Sequence, residues 1–371
     1  MAAIFKPLAN NDITNTRTLL HEAIPITGTL ASGTYGGATV ALGSEPNIKT
    51  YAHGMFESVY DYPYLSSSAN HVFDLTVGYS ADSVFSASTS TQNAKKINIY
   101  NQMASVLMGH DISGNIQKFD EDGDIMAGGT KLESCVFMNF ARLLTKDEIK
   151  KGTFSLTLGA SASFDSGSTN RTEMNDLITI TDTNAATQFK VNSPTGEYGI
   201  LYGTGSVMPA STPVGLLFYQ AGVAVLTSSI WDTYGSDGMT GFAGTASNGM
   251  DMSGSGNNLS SFLTGATIQQ SCDYALRHRI NNLTFNNTTE LNSTVYFCRA
   301  NNSEFNYSAN PTYLSASKMR VKNTVTDDPV SYITTVGLYS PDNELLAVAK
   351  LSEPLKKTPQ NELTVRVRLD Y

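Results

Sequence analysis

Charge is scarce in this chain. Asp, Glu, Lys and Arg make up 15% of its 371 residues, against about 25% in an average soluble domain. The charge that is present leans acidic, with a net charge of −9 and a pI of about 5.0. A nucleic-acid-binding protein carries a basic stripe that displaces counterions from phosphates. None is present, which sets that class aside. Cysteine is rarer still: Cys135, Cys272 and Cys298 stand far apart with no C-x-x-C pair. An odd, dispersed set excludes a disulfide framework and a thiolate zinc site, and reads as structural thiols. Long apolar runs are also missing. The best, residues 214–227, is interrupted by Gln220 and falls short of the roughly 18 apolar residues of a membrane helix. Met1–Asn10 holds one lysine and no apolar stretch, so no export signal is read there, and a chain kept in the cytoplasm where it is made is expected.

The motifs of common enzyme classes are absent too. No Gly-Lys dipeptide occurs, so there is no phosphate-cradling G-x-x-x-x-G-K-[ST], and neither G-x-G-x-x-G nor G-x-S-x-G is found. The five histidines, His21, His53, His71, His110 and His278, show no metal-binding spacing. No residue is therefore assigned as catalytic, cofactor-binding or metal-binding, and no cofactor is expected.

What fills the chain is Asn, Ser, Thr and Gly between short apolar alternations, the pattern of turn-rich β architecture. The expectation is a mainly β protein: antiparallel β-sandwich domains with a few short helices. Residues 1–50 read as an N-terminal arm, either lying across a neighbour or flexible, because Ala31–Gly43 is too rich in small residues to pack a core. Residues 51–160 read as a first β-rich domain with one helix. Phe73, Leu75 and Val77 alternate with polar residues as in a half-buried strand, while Ile97, Tyr100, Ala104 and Leu107 recur at helical spacing after Ser90 or Thr91 and before Gly109. Thr145–Glu148 has the pattern of a capping box, predicting a short helix closed by Gly152. Residues 161–280 read as a Gly/Ser/Thr-rich β domain with long loops. Hairpins are predicted at Pro194–Glu197 and across Gln220–Gly222, a loop over Thr233–Asn258 and a helix over residues 267–280. Residues 281–371 read as a C-terminal β-sandwich docking domain. Strands are predicted at Val295–Arg299, Lys318–Lys322, Tyr332–Tyr339, Leu345–Leu351 and Leu363–Leu369.

Three features bear on chemistry. Asp120-Glu121-Asp122-Gly123-Asp124 concentrates carboxylates on a turn, but places Ile125 where an EF-hand needs glycine and Lys131 where it needs glutamate; a solvated acidic turn is expected. Lys356, Lys357, Arg366 and Arg368 gather positive charge near the end, read as a solvated sheet edge or a docking face for an acidic partner. The sequons at Asn287 and Asn292 read as Asn-rich turns.

Ser331–Ser340 (SYITTVGLYS), Leu345–Pro354 (LLAVAKLSEP) and Leu363–Tyr371 (LTVRVRLDY) resemble virion structural proteins of contractile-tailed bacteriophages, notably myoviruses of marine bacteria and cyanobacteria. Thr16–Thr29, Tyr60–Asn70 and Asn93–Leu107 are similar to the same group. The "VGLY, turn, LLAVA" hairpin of Ile333–Tyr339 and Leu345–Ala349 also resembles particle-attachment modules of tail-fibre proteins. The resemblance touches about a third of the chain, through packing residues rather than a catalytic motif. It implies a non-enzymatic structural component of the tail or baseplate, assembled in the host bacterial cytoplasm and located in the virion. Its partners would be other tail, baseplate or neck subunits and copies of itself, as a trimer or hexamer, with no nucleic acid and no membrane insertion. The alternatives are a neck or head-surface protein, a receptor- or glycan-binding adhesin using Tyr60, Tyr62, Tyr64 and Trp231, and a polysaccharide-degrading virion enzyme.

Overall fold

A computed structural model describes residues 5–25, 47–87, 91–125, 128–164, 171–205, 208–230, 263–264, 266–275, 280–307, 314–315, 318–319, 321–322 and 324–371. The fold is mainly β, with large antiparallel sheets and few helices. The strands are β1 (Ile13–Pro25), β2 (Ile48–Thr50), β3 (Glu57–Tyr60), β4 (His71–Tyr79), β5 (Ser134–Phe140), β6 (Glu148–Ile149), β7 (Ser155–Phe164), β8 (Arg171–Thr181) and β9 (Lys190–Ser193). They continue with β10 (Gly196–Gly205), β11 (Thr212–Phe218), β12 (Val223–Thr227), β13 (Ile280–Ala300), β14 (Leu314–Ser315), β15 (Lys318–Met319), β16 (Ser331–Tyr339), β17 (Leu345–Lys357) and β18 (Leu363–Asp370). The α-helices are α1 (Thr91–Leu107), α2 (Arg142–Thr145), α3 (Ala185–Gln188) and α4 (Ile268–Ala275).

The chain divides into two compact units, His21–Thr289 and a second made of Met1–Leu20 with Glu290–Tyr371. The boundaries expected at 160 and 280 fall elsewhere because strands pair across them: Leu158 on β7 faces Ile178 on β8, and Ile280 on β13 faces Leu158.

In the larger unit the sheet runs β13-β7-β8-β10-β11-β12-β5-β4-β3-β2, every neighbouring pair antiparallel. It curls on itself. Phe140 on β5 lies 5.2 Å, ring to ring, from Phe285 on β13 and 6.0 Å from Phe154, although five strands separate β5 from β13 in the sheet. Phe137, three residues earlier, points to the opposite face and meets Phe119 at 5.7 Å and Tyr100 of α1 at 6.5 Å. β5 is therefore covered on both faces, which is why Cys135-Val136-Phe137-Met138 is a continuous apolar run. Helix α1 can lie directly on β4 because Gly78 has no side chain: a Cβ there would sit 2.8 Å from the Lys96 carbonyl oxygen and the Tyr100 nitrogen. The helix ends where the spacing predicts. Gly109 takes a φ of +82° and its N–H donates to the Ala104 carbonyl, the left-handed stop that favours glycine.

Both predicted hairpins form, Ser193 facing Gly196 and Phe218 facing Val223. The helix expected over 267–280 is shorter, Ile268–Ala275, and Ile280 already begins β13. Two expectations fail for one reason. Thr145–Glu148 caps no following helix: the helical turn precedes it, Lys146 takes a φ of +53°, and Glu148–Ile149 is β6, paired with Thr288 and Asn287. Likewise the sequons at Asn287 and Asn292 are not turns but the middle of the 21-residue β13. In both places ladder bonds to a strand distant in sequence override the local signal. The loop expected over Thr233–Asn258 and the segment Ala31–Gly43 lie outside the described residues.

In the smaller unit β18 pairs with β13 from Ser293–Asp370 to Ala300–Leu363. The expected alternation holds, with Val367 buried and Thr364, Arg366 and Arg368 exposed. β16 and β17 form a two-stranded ribbon about the turn at Ser340–Asn343, and β14 pairs with β15. The first stretch of the expected arm is ordered as β1, a partner of β13.

Candidate functional site

The acidic turn is the one sequence-selected cluster that the fold draws together. Carboxylate oxygens of Asp120, Asp122 and Asp124 lie within 4.8 Å of one another. Successive turns hold them: the Asp122 N–H donates to Asp120 Oδ1 (3.1 Å) and the Asp124 N–H to Asp122 Oδ1 (3.0 Å). The Tyr198 hydroxyl donates to the Gly123 carbonyl at 2.9 Å, fastening the turn to β10. Asp120 is fully buried and accepts the Lys131 ammonium. Burial raises its pKa, the interaction with the Asp122 side chain adds to that, and Lys131 opposes both. Asp122 is held lower chiefly by its hydrogen bond with Asp120. A hard cation would find three carboxylates here, whereas calcium takes roughly six to eight oxygens, and a lysine already neutralises the deepest of the three.

Two buried polar centres were not legible as sites. Lys96 on α1 is completely buried, and its ammonium donates to the carbonyls of Leu263 and Ala266 (2.9 Å to the latter) and to Ser271 Oγ (3.2 Å). Burial pulls its pKa down to about 8, partly offset by Cys272. Lysine beside serine is a known nucleophile pair, but both side chains are shut off from solvent. What the ammonium does is tie the chain entering α4 to α1. A signal was present: Asn93, Lys96, Tyr100 and Leu107 share the buried face of α1, so Lys96 stands where an apolar residue belongs. Asp182 is the second. Its carboxylate accepts the N–H groups of Gly152 (2.7 Å) and Phe154 (3.0 Å) and the Tyr219 hydroxyl (3.1 Å). Burial raises its pKa despite these donors. It clasps the turn before β7 to the ends of β8 and β11.

The remaining sequence candidates do not converge. His71 pairs with Asp74 at 2.8 Å and His21 lies 3.2 Å from the Thr288 hydroxyl. Cys135 and Cys272 are buried and Cys298 half-buried, all as thiols and not in disulfides; burial raises the Cys135 and Cys298 pKa values. Of the basic residues near the end, Lys357 is no solvated edge: it is fully buried and donates to Asn306 Oδ1 and the Thr358 carbonyl, each at 2.8 Å. Of the proposed stacking aromatics, Tyr62 and Tyr64 are exposed, and Tyr60 and Tyr64 rings lie 6.3 Å apart. Trp231 lies outside the described residues.

The most extensive unusual feature is the strand surface of the smaller unit. Its buried apolar side chains among the described residues are Val295, Ala300 and Val367. More than half of the exposed large hydrophobic side chains of the described chain belong to it, including Leu19, Leu20, Tyr332, Tyr339, Leu346 and Val348. Two-stranded ribbons such as β16–β17 are marginal in water by themselves, and open apolar strand surfaces mark contact sites. Comparison of the chain with known protein families, with curated proteins and with solved structures finds no match.

Proposed function

We propose that the chain is a structural component of a bacteriophage virion, a tail or baseplate subunit that acts through protein–protein assembly rather than catalysis. The observation that supports this reading is the smaller unit's lack of a core. A region of roughly a hundred residues normally encloses a dense set of apolar side chains, whereas this one buries three among its described residues and leaves rows of Leu, Val and Tyr open. Such a surface reaches its stable state when neighbouring subunits cover it. The resemblance of the same segments to myovirus particle proteins supplies the setting: assembly in the bacterial cytoplasm, as a trimer or hexamer, beside tail, baseplate or neck subunits.

The test is mass spectrometry of head and tail fractions from gently dissociated virions, with copy number. Enrichment with tail-tube and sheath proteins at a multiple of three or six is expected. Co-purification with the capsid moves the protein to the neck or head surface, and absence from both fractions overturns the reading. Deleting residues 301–371, which leaves β13 and the larger unit's strands whole, is expected to abolish incorporation. A receptor- or glycan-binding adhesin is the second reading, favoured by the exposed Tyr62 and Tyr64 beside the half-buried Tyr60. Binding of purified protein to host cells, lost in Tyr62→Ala/Tyr64→Ala, is its signature.

A further inference from the structure

We propose that β1 is an exchanged strand: in the assembled protein, Ile13–Pro25 of one copy seats along β13 of another copy of the same chain. This rests on the assembly reading above and names the partner. β1 buries none of its residues fully. Every residue from Ile13 to Ala23 is exposed, and Ile24 alone is half-buried. Polar pairs therefore set its register. Arg299 Nε donates to Asp12 Oδ1 at 2.6 Å, Thr294 Oγ1 donates to Asn15 Oδ1 at 2.8 Å, Arg17 pairs with Glu290, and Lys146 Nζ pairs with Glu22 at 2.7 Å. Asp12, just before β1, and Arg17 and Glu22 on it read acid, base, acid, and the side chains that receive them, Arg299, Glu290 and Lys146, read base, acid, base.

A strand that fits this series must carry the same residues at the same spacing, and another copy of the chain carries them by definition. Because the pairs are the same whichever copy donates the strand, exchange forfeits none of them. The connection permits it: twenty-one residues, 26–46, separate Pro25 from Asn47, and a fully extended segment of that length spans about 70 Å. Leu19 and Leu20 are adjacent, so they lie on opposite faces of β1. Both are about half exposed, at 45% and 51%, and a subunit drawn in by the exchanged strand would cover them.

The experiment mixes two full-length chains in one cell, one carrying Asn15→Cys and the other Thr294→Cys, both with Cys298→Ser. Strand exchange yields a disulfide-linked dimer on a non-reducing gel that neither chain forms when expressed alone. Absence of that dimer from the mixture overturns the proposal. If the chain still assembles in that case, the assembly reading stands and the exchange fails by itself. A charge swap guards against a folding defect at Thr294. Arg299→Asp chains are expected to lose the oligomer peak in sedimentation and to recover it when co-expressed with Asp12→Arg chains. Recovery confined to a single chain carrying both changes overturns the exchange.

Discussion

The two units are built from the same kind of strand and end in opposite states. β5 of the larger unit is buried from Ser134 to Met138 and again at Phe140, whereas β1 exposes twelve of its thirteen residues and β17 eight of thirteen. The difference is not composition: Leu345-Leu346-Ala347-Val348 is as apolar as Cys135-Val136-Phe137-Met138. It lies in what covers the faces. In the larger unit the sheet curls until Phe140 meets Phe285, and α1 closes the other face. Among the described residues of the smaller unit, a two-stranded ribbon and a strand edge have no second layer of their own. An apolar alternation specifies a strand, and only a facing layer makes that strand a core.

The largest expected effect breaks the comparison at its centre. Phe137→Ala removes a fully buried ring that touches Phe119 and Tyr100 and should cost about 3–5 kcal/mol in urea denaturation. Leu346→Ala in the ribbon, where the side chain is exposed, should change the stability of the free chain by no more than about 0.5 kcal/mol while reducing its incorporation into particles. Equal costs at the two sites would mean that the ribbon is cored in the free subunit.

Lys96 sharpens the comparison next. Its folded pKa, about 8, lies below the value of 10.5 that it has in the unfolded chain. Between these values the unfolded chain holds more protons, so stability should rise with pH from 8 upward, by at most about 1.4 kcal/mol per pH unit. Lys96→Met should remove that rise. Denaturation curves of the two proteins at pH 7.5 to 9.5, as an experimental range around the folded pKa, would show parallel profiles if the ammonium were in contact with water.

Asp182→Asn should cost about 1–3 kcal/mol, because the amide cannot satisfy two N–H donors and the Tyr219 hydroxyl as the carboxylate does. Lys357, the corresponding buried charge of the smaller unit, offers the matched test. The smallest effect belongs to the acidic turn. With Lys131 on Asp120, calorimetric titration of the protein with calcium should give no heat at millimolar ion, and a saturable isotherm would make the turn a binding site.

The sequence by itself determined the class and most local pieces. The alternation at Phe73–Val77 and Leu363–Leu369, the hairpins at Ser193–Gly196 and Phe218–Val223, and the Gly109 stop all rest on interactions within a few residues, so periodicity and turn chemistry reveal them. The acidic turn was equally legible, since its residues are neighbours in the chain. Tertiary structure decided the rest. The pairing of Glu148–Ile149 with β13, the burial of Asn287 and Lys96, and the attachment of β1 along β13 each depend on partners more than a hundred residues away, while the buried Asp182 and Lys357 meet partners up to 37 and 55 residues away, still beyond the reach of a local pattern. Local patterns record which face of a strand is apolar. Which strand, helix or neighbouring subunit covers that face is a property of the folded and assembled chain.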